Sequence, residues 1–84
     1  MKSVLILTLM QGQKVLLPNI PGATFILTEP IYFTSLMADS ILSPMEYPLK
    51  VNNGQSYFEP LKAGDFCIVI ESDTPVAQSQ IVIQ

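Results

Sequence analysis

Short runs of alternating hydrophobic and polar residues, separated by Gly and Pro, recur along the chain. The clearest runs lie on either side of Asn53-Gly54, where residues 47–52 and 56–61 alternate with the period of two that half-buried strands show. Asn-Gly tolerates positive φ at both central positions of a type I′ turn, the turn that joins tightly paired strands. The pattern therefore predicts a β-hairpin centred on Asn53-Gly54.

The most hydrophobic strand is predicted just after a second turn at residues 62–65. The run from Phe66 to Ile70 contains no polar residue, which is typical of a strand covered on both faces. Phe66, Ile68 and Ile70 are expected to line one face, and Cys67 and Val69 the other.

The remaining strands are predicted from weaker alternation between turn residues. Residues 3–10 form a strand that reverses at Gln11-Gly12 into residues 14–17 as a hairpin, and Pro18 to Gly22 form a loop. Residues 23–28 and 80–84 are further strands, and residues 31–34 form another strand or continue the strand of residues 23–28 past a bulge. Residues 35–42 read equally well as one short helical turn or as an irregular, strand-like segment, because two turns of helix are marginal unless packed.

Seven or eight short strands spaced by Gly and Pro turns indicate an all-β fold. The expected architecture is a small antiparallel β-sandwich or barrel with at most one short helical turn. A chain of 84 residues with no repeat and no change of composition is expected to form a single domain, residues 1–84.

The composition further indicates that the protein assembles with other chains. Hydrophobic residues make up 49% of the chain and charged residues only 13%, with a mean hydropathy of +0.41. Soluble small domains are usually designed with roughly 25–35% charge on the surface. So apolar an exterior predicts a protein that buries part of its surface against copies of itself or against a larger assembly.

Charge and hydropathy also argue against several partners. The net charge is −3 and all four basic residues are lysines, whereas binding to a phosphate backbone needs clustered Lys and Arg. The apolar run of residues 4–10 is far shorter than the roughly 20 residues that span a bilayer. It also lacks the cleavage site of a signal peptide. We therefore expect no nucleic-acid partner, no membrane span and no secretion by a signal peptide.

The residue types that carry catalysis and metal binding are sparse. The chain has no His, and its single Cys67, set among apolar residues, is expected to be a small buried hydrophobe rather than a zinc ligand or a disulfide partner. Glu59 and Asp65 are expected to be solvated turn residues. Glu71 and Asp73 have no EF-hand spacing. No catalytic residue, cofactor or metal is therefore expected.

Candidate contact residues come from the strand edges and from the tyrosines. Unpaired edges flanked by few charges invite pairing with another chain, and residues 3–10 and 80–84 are the expected edges. Tyrosine is common at interfaces because its ring is apolar and its hydroxyl polar. The predicted interface residues are Tyr32, Tyr47, Tyr57, Ile81, Val82 and Ile83.

One resemblance, in type only, covers the whole chain. Its size, low charge, Ser/Thr/Gln-rich polar face and strand-turn-strand stretches such as LKAGDFCIVI resemble those of the small all-β proteins that decorate phage capsids or build tail and neck parts. The resemblance implies a non-enzymatic structural protein of a virion, assembled in the host cytoplasm and without a cofactor.

Two other classes of function remain open at this point. The chain can be a small β-sandwich binding module for carbohydrate, using Tyr32, Tyr47 or Tyr57 beside Asn52 and Asn53. A small enzyme is the third class, and it requires a concave cluster drawn from Glu46, Glu59 and Asp65.

Overall fold

The computed structural model describes residues 1–30 and 45–84, which form two antiparallel sheets. The strand predicted at residues 31–34, the segment 35–42 and Tyr32 lie outside the described residues. The described strands are β1 (Lys2–Leu9), β2 (Val15–Leu16), β3 (Thr24–Thr28), β4 (Lys50–Asn52), β5 (Gln55–Phe58), β6 (Gly64–Glu71) and β7 (Val82–Ile83). A 3-10 turn, Gln78–Gln80, precedes β7. The all-β prediction is confirmed.

The three-stranded sheet has the order β1-β6-β3, with β6 in the centre. Its register places Leu5 and Leu27 on either side of Ile68. Phe66, Ile68 and Ile70 face the core, and Cys67 and Val69 on the opposite face are also buried. Both faces of β6 are therefore removed from water, as predicted from its uninterrupted apolar run.

The four-stranded sheet has the order β4-β5-β2-β7. Its hairpin β4–β5 turns at Asn53 and Gly54, whose φ values are 52° and 78°. Positive φ at both positions is the signature of the type I′ turn, so this hairpin is confirmed. The register pairs Asn52 with Gln55 directly beside the turn.

The core lies between the two sheets and makes the molecule a sandwich. Each sheet contributes the residues that face the other, and the buried cluster consists of Leu7, Leu9, Leu27, Phe66, Ile68 and Ile70 from the first sheet and Val15, Leu17 and Phe58 from the second. Burial of apolar area of this kind is the main favourable term in folding.

The hairpin predicted between residues 3–10 and 14–17 is wrong. β1 pairs with β6, whereas β2 pairs with β5 and β7 in the other sheet. Gly12 does form a turn with φ 83°, but Leu9 and Val15 on either side of it are fully buried. The turn therefore carries the chain across the core from one sheet to the other.

The turn predicted at residues 62–65 is shorter than expected and also changes sheet. Gly64 and Asp65 belong to β6, opposite Leu9 and Thr8 of β1. The chain thus crosses between the sheets after β5, and no hairpin joins β5 to β6. The last strand is likewise shorter than the predicted residues 80–84, although mutual backbone hydrogen bonds of 2.9 and 2.8 Å between Lys14 and Gln84 extend its pairing with β2.

One buried polar side chain ties the chain beyond residue 44 to the first sheet. Thr28 is fully buried, and its hydroxyl donates to the Met45 carbonyl at 2.7 Å. The Tyr47 N–H donates to the Leu27 carbonyl at 2.8 Å, and Thr28 forms an isolated bridge with Glu46. Residues 45–47 therefore lie along the outer edge of β3.

Candidate functional site

The four edges of the two sheets differ in how far they are protected. The β3 edge is covered at its Leu27-Thr28 end by Glu46 and Tyr47, as described above. The β4 edge is three residues long and begins with Lys50, whose ammonium lies 3.5 Å from the Glu59 carboxylate. Charge and shortness are the usual means of protecting an edge. β1 and β7 are the two terminal edges that the sequence predicted, and β1 is by far the longer.

The backbone direction of β1 follows from its pairing with β6. Met1 and Ser72 exchange two hydrogen bonds, of 2.8 and 2.9 Å, so they form a hydrogen-bonded pair. Such pairs alternate along an antiparallel ladder. The N–H and C=O groups of the even-numbered residues Lys2, Val4, Ile6 and Thr8 consequently point away from β6, towards the outer edge.

Three of these residues offer backbone groups that the described chain does not use. Within residues 1–30 and 45–84, no hydrogen bond reaches the outward backbone groups of Val4, Ile6 and Thr8. Past Thr8 the edge is closed, because the Met10 N–H donates to the Gln13 side-chain oxygen at 2.6 Å and the Gln13 N–H donates to the Met10 carbonyl at 3.2 Å. The open part of the edge therefore ends at Thr8.

The side chains of β1 do nothing to prevent pairing. From Ser3 to Leu9 the strand carries no charge and no Pro. Ile6, in the middle of its outer face, is 49% exposed. A long edge with so few charges is a template for another strand.

The predicted interface residues at the end of the chain lie at the other terminal edge. Val82 and Ile83 form β7 and are 46% and 42% exposed. Ile81 is half-buried and packs against the core. With only two residues in the strand, β7 offers far fewer backbone groups than β1.

Tyr47 belongs to a group of three aromatic rings at the open end of the sandwich. Its ring centroid lies 5.5 Å from those of both Phe58 and Phe66, which are 5.1 Å apart. These rings line part of a cavity of about 620 Å³, and the exposed Leu61 lies at its rim. Chain segments 29–30, 47–50 and 58–66 build this cavity together, and the residue pattern alone carried no signal for it.

The Tyr47 hydroxyl points to the charged rim of this cavity, where it donates to the Glu29 carboxylate at 3.3 Å. Partial burial raises the pKa of Tyr47, and the negative charge of Glu29 raises it further. Both effects favour the neutral phenol over the phenolate. Tyr47 is therefore a hydrogen-bond donor at neutral pH and no base.

Tyr57 lies elsewhere, on the outer face of the four-stranded sheet, because it neighbours the core residue Phe58 on β5. Asn52 shares this outer face. The Lys14 ammonium is 5.4 Å from the centroid of the Tyr57 ring, within the range of a cation–π contact. The lysine thus occupies a ring face on which a sugar would stack, and the structure does not bring Tyr47 and Tyr57 onto one surface.

Two of the three carboxylates considered for catalysis, Glu59 and Asp65, lie at the cavity rim and already have partners. Glu59 lies beside Lys50, and Asp65 accepts a hydrogen bond from the Thr8 hydroxyl at 2.8 Å rather than from backbone amides of its own turn. Both line the aromatic cavity, whereas Glu46 lies outside its lining. In the described residues no three His, Cys, Asp or Glu side chains lie close enough together to hold a metal ion.

Cys67 has the environment of a structural residue. Its side chain is fully buried, and burial raises the pKa of its thiol. Since the thiolate is the nucleophile, a buried thiol with a raised pKa is poorly suited to covalent chemistry. The prediction that Cys67 is a small buried hydrophobe is confirmed.

Comparisons with known proteins give no relative. No protein-family model matches the chain, and no match is found among curated proteins or solved structures. In the parts of the chain that the structure describes, no helix is long and apolar enough to cross a membrane. Function must therefore be argued from the surfaces described above.

Proposed function

We propose that this protein is a non-enzymatic structural subunit that works by assembling with copies of itself or with a larger protein scaffold. The observation that carries the proposal is the β1 edge, where Val4, Ile6 and Thr8 present backbone groups that the described chain leaves unused. An edge strand that carries no charge over seven consecutive residues, 3–9, is a hazard for a protein that stays alone and an asset for one that assembles.

The exposed apolar side chains support the same proposal. A standard stable interface buries about 800 Å² per partner, which is about one seventh of the 5458 Å² that the molecule exposes. The large apolar side chains exposed in the described residues are Met1, Ile6, Met10, Met45, Leu49, Val51, Leu61, Val82 and Ile83. Contacts with several neighbours can remove much of this area from water.

The kind of assembly is a further part of the proposal. The resemblance in type to phage decoration, tail and neck proteins suggests a virion component, and we propose that location for this chain. The support consists of the all-β sandwich, the small size and the low charge. No comparison with known proteins adds to it.

A second candidate function, a binding module, is favoured by one observation, the aromatic cavity of about 620 Å³. This volume is in the range of small-molecule sites. Its floor of Tyr47, Phe58 and Phe66 suits an apolar or flat ring, including the apolar face of a sugar, better than a charged group. Titration with phenyl glycosides, followed by tyrosine fluorescence in wild type and Tyr47→Leu, tests this candidate. A saturable change in wild type that the variant lacks supports it, and identical responses refute it.

The assembly proposal is tested by the native mass from light scattering coupled to size-exclusion chromatography. The chain has a mass of 9.3 kDa, and we expect particles of at least twice that mass. Ile6→Lys places a charge on the exposed face of β1 and should shift the mass towards the single chain. Thr24→Lys is the matched control, because Thr24 is an exposed residue on β3, the other edge strand of the same sheet, and it should assemble like wild type.

Circular dichroism must show that Ile6→Lys keeps its strands, so that the loss of mass is not a loss of fold. A wild-type protein that remains a single chain at millimolar concentration would overturn the proposal. Assembly that is equally strong in both lysine variants would refute the role of the β1 edge.

A further inference from the structure

We infer that two copies of the chain pair antiparallel through residues 4–8 of β1, with the two-fold axis passing at Ile6. The pairing joins two three-stranded sheets into one continuous sheet with the order β3-β6-β1-β1-β6-β3. The inference rests on the proposed assembly function and names its partner, a second copy, together with the register of contact.

A second copy fits because the open edge is complementary to itself. Val4, Ile6 and Thr8 each present an outward N–H and C=O, and no hydrogen bond within the described residues reaches these groups. One β1 strand can therefore donate to another and accept from it. Two such residues that face each other in an antiparallel pair exchange two hydrogen bonds, and a two-fold axis places the same residues on both sides of the interface.

The open part of the edge is bounded on both sides by residues that have partners. The next outward residue towards the C-terminus is Met10, whose N–H and C=O are both bound by Gln13. The next outward residue towards the N-terminus is Lys2, which already has an interaction partner. The open segment therefore runs from residue 4 to residue 8, and its middle is Ile6.

The middle of the open segment selects the register. With the axis at Ile6, Val4 pairs with Thr8 of the second copy, and the two Ile6 residues pair with each other. Every open group of the segment is then used. Lys2 and Met10 lie just outside the paired residues, so the pairing needs nothing from either and both keep the partners they have.

Registers displaced by one residue are less favourable. With the axis one residue earlier, Thr8 would face Lys2 of the second copy, and with the axis one residue later, Val4 would face Met10 of the second copy. Lys2 and Met10 already have partners. The Ile6 register is therefore the one that pairs open groups with open groups alone.

Side chains on both faces agree with this register. On the outer face the two Ile6 side chains, each 49% exposed, would lie side by side at the axis, and β-branched pairs of this kind stabilise sheets. On the core face Leu5, which is half-buried and packs against the buried cluster, would lie opposite Leu7 of the second copy. Residues 3–9 carry no charge, so the paired segments oppose no like charges.

The first test needs no substitution and so does not depend on how a variant folds. Amide hydrogen exchange is followed in wild-type protein at a concentration where it assembles and after dilution to the single chain. The amides of Val4, Ile6 and Thr8 should exchange at least about tenfold more slowly in the assembled state. The amides of Leu5 and Leu7, which point towards β6, should be protected in both states.

The same measurement distinguishes the registers, because each register leaves a different amide open. Protection of Val4 and Ile6 without Thr8 would place the axis at residue 5. Protection of Ile6 and Thr8 without Val4 would place it at residue 7. Either result would overturn the register we infer.

The second test uses a disulfide at the axis. In the Ile6 register the two Ile6 residues form a hydrogen-bonded pair with Cα atoms about 5.5 Å apart, within the range of disulfides. Ile6→Cys should therefore give a disulfide-linked dimer on oxidation with diamide. The background is Cys67→Ala, because Cys67 lies opposite Ile6 on β6 of the same chain and would compete for the new thiol.

Two cysteine controls in the same background test the position of the axis. Val4→Cys should not link, since the two Val4 residues would be about 14 Å apart. Leu5→Cys should link poorly, because the two Leu5 residues would be roughly 8 Å apart. Efficient linkage at Leu5 but not at Ile6 would contradict the inferred axis.

The outcomes separate this inference from the proposed function. Particles of multiple mass with unprotected amides at Val4, Ile6 and Thr8 would overturn β1 pairing and leave assembly standing. Protected amides without linkage of Ile6→Cys would mean that another strand occupies the edge, and this would also overturn the inference. A protein that never exceeds the mass of one chain would overturn both.

Discussion

Ile68→Ala is the substitution that most directly tests the central place of β6 in the core. Ile68 is fully buried and lies between Leu5 and Leu27 in the ladder. Removing three carbons costs about 2.4 kcal/mol in lost transfer free energy at about 0.8 kcal/mol for each carbon. The space left among close-packed neighbours raises the cost to about 4 kcal/mol.

Ile6→Ala is the matched control, because it is the same substitution in the same sheet. Ile6 lies on the opposite face of neighbouring β1 and is 49% exposed, so about half of the transfer term applies and no closed cavity forms. The expected cost is about 1 kcal/mol. The two substitutions should therefore differ by about 3 kcal/mol in the free energy of unfolding.

Urea denaturation followed by circular dichroism measures both values, at a protein concentration low enough to keep wild type and both variants as single chains, because assembly through β1 would stabilise the folded state. A domain of this size has a total stability of about 4–13 kcal/mol, so Ile68→Ala is expected to lower the urea midpoint strongly. Equal midpoints for the two variants would show that the core face of β6 has been assigned wrongly.

The remaining predictions concern the hairpin turn and the aromatic cavity. Gly54→Ala should lower the free energy of unfolding by about 1–2 kcal/mol, because Gly54 has a φ of 78°, which is unfavourable for alanine. The cost comes from the backbone alone, since no atom lies within 4 Å of an added Cβ. Thermal unfolding measures this cost, and an unchanged midpoint would contradict the type I′ geometry. The pKa of Tyr47 is higher in the folded state than in the unfolded state, where it is about 10. The folded protein therefore holds this proton more tightly, and its free energy of unfolding should fall as the pH rises above about 10. Tyr47→Phe should therefore lose less stability than wild type between pH 9 and pH 11. Urea midpoints that fall equally with pH in the two proteins would refute the raised pKa of Tyr47.

Features governed by local chemistry could be predicted from the sequence. Asn53-Gly54 determines its own turn because few other dipeptides adopt positive φ twice, and the observed φ values of 52° and 78° follow. The burial of β6 on both faces could also be predicted locally, since a strand with no polar residue requires cover on both faces. The two terminal edges were also predicted correctly, because they follow from chain order and low charge.

Features that depend on distant partners could not be predicted in the same way. The turn around Gly12 is compatible with either a hairpin or a crossing between sheets, and local residues do not decide between them. The deciding fact is that β6 needs long neighbours, and β1, also eight residues, spans its full length. Matching the lengths of apolar runs is a signal that could have revealed this pairing.

The aromatic cavity is the clearest case of a site that sequence reasoning missed. Tyr47 and Phe58 were assigned to the two sides of one hairpin, and Phe66 to the next strand, which gave no reason for the three rings to meet. Their centroids lie within 5.1–5.5 Å of one another because the chain crosses between the sheets just after β5. Only the tertiary arrangement produces that contact.

The open edge of β1 is a consequence of how a small chain covers its most apolar strand. β6 has a neighbour on each side, and β3, at five residues, is shorter than β6 and has the Thr28 end of its outer edge covered by residues 46–47. β1 covers the other side of β6 along its full length, and no hydrogen bond within the described residues reaches the outward groups of Val4, Ile6 and Thr8. A single lysine at Ile6 would protect this edge at little cost, since that side chain is half exposed. Because the chain carries isoleucine there instead, the edge stays open to the pairing that we propose.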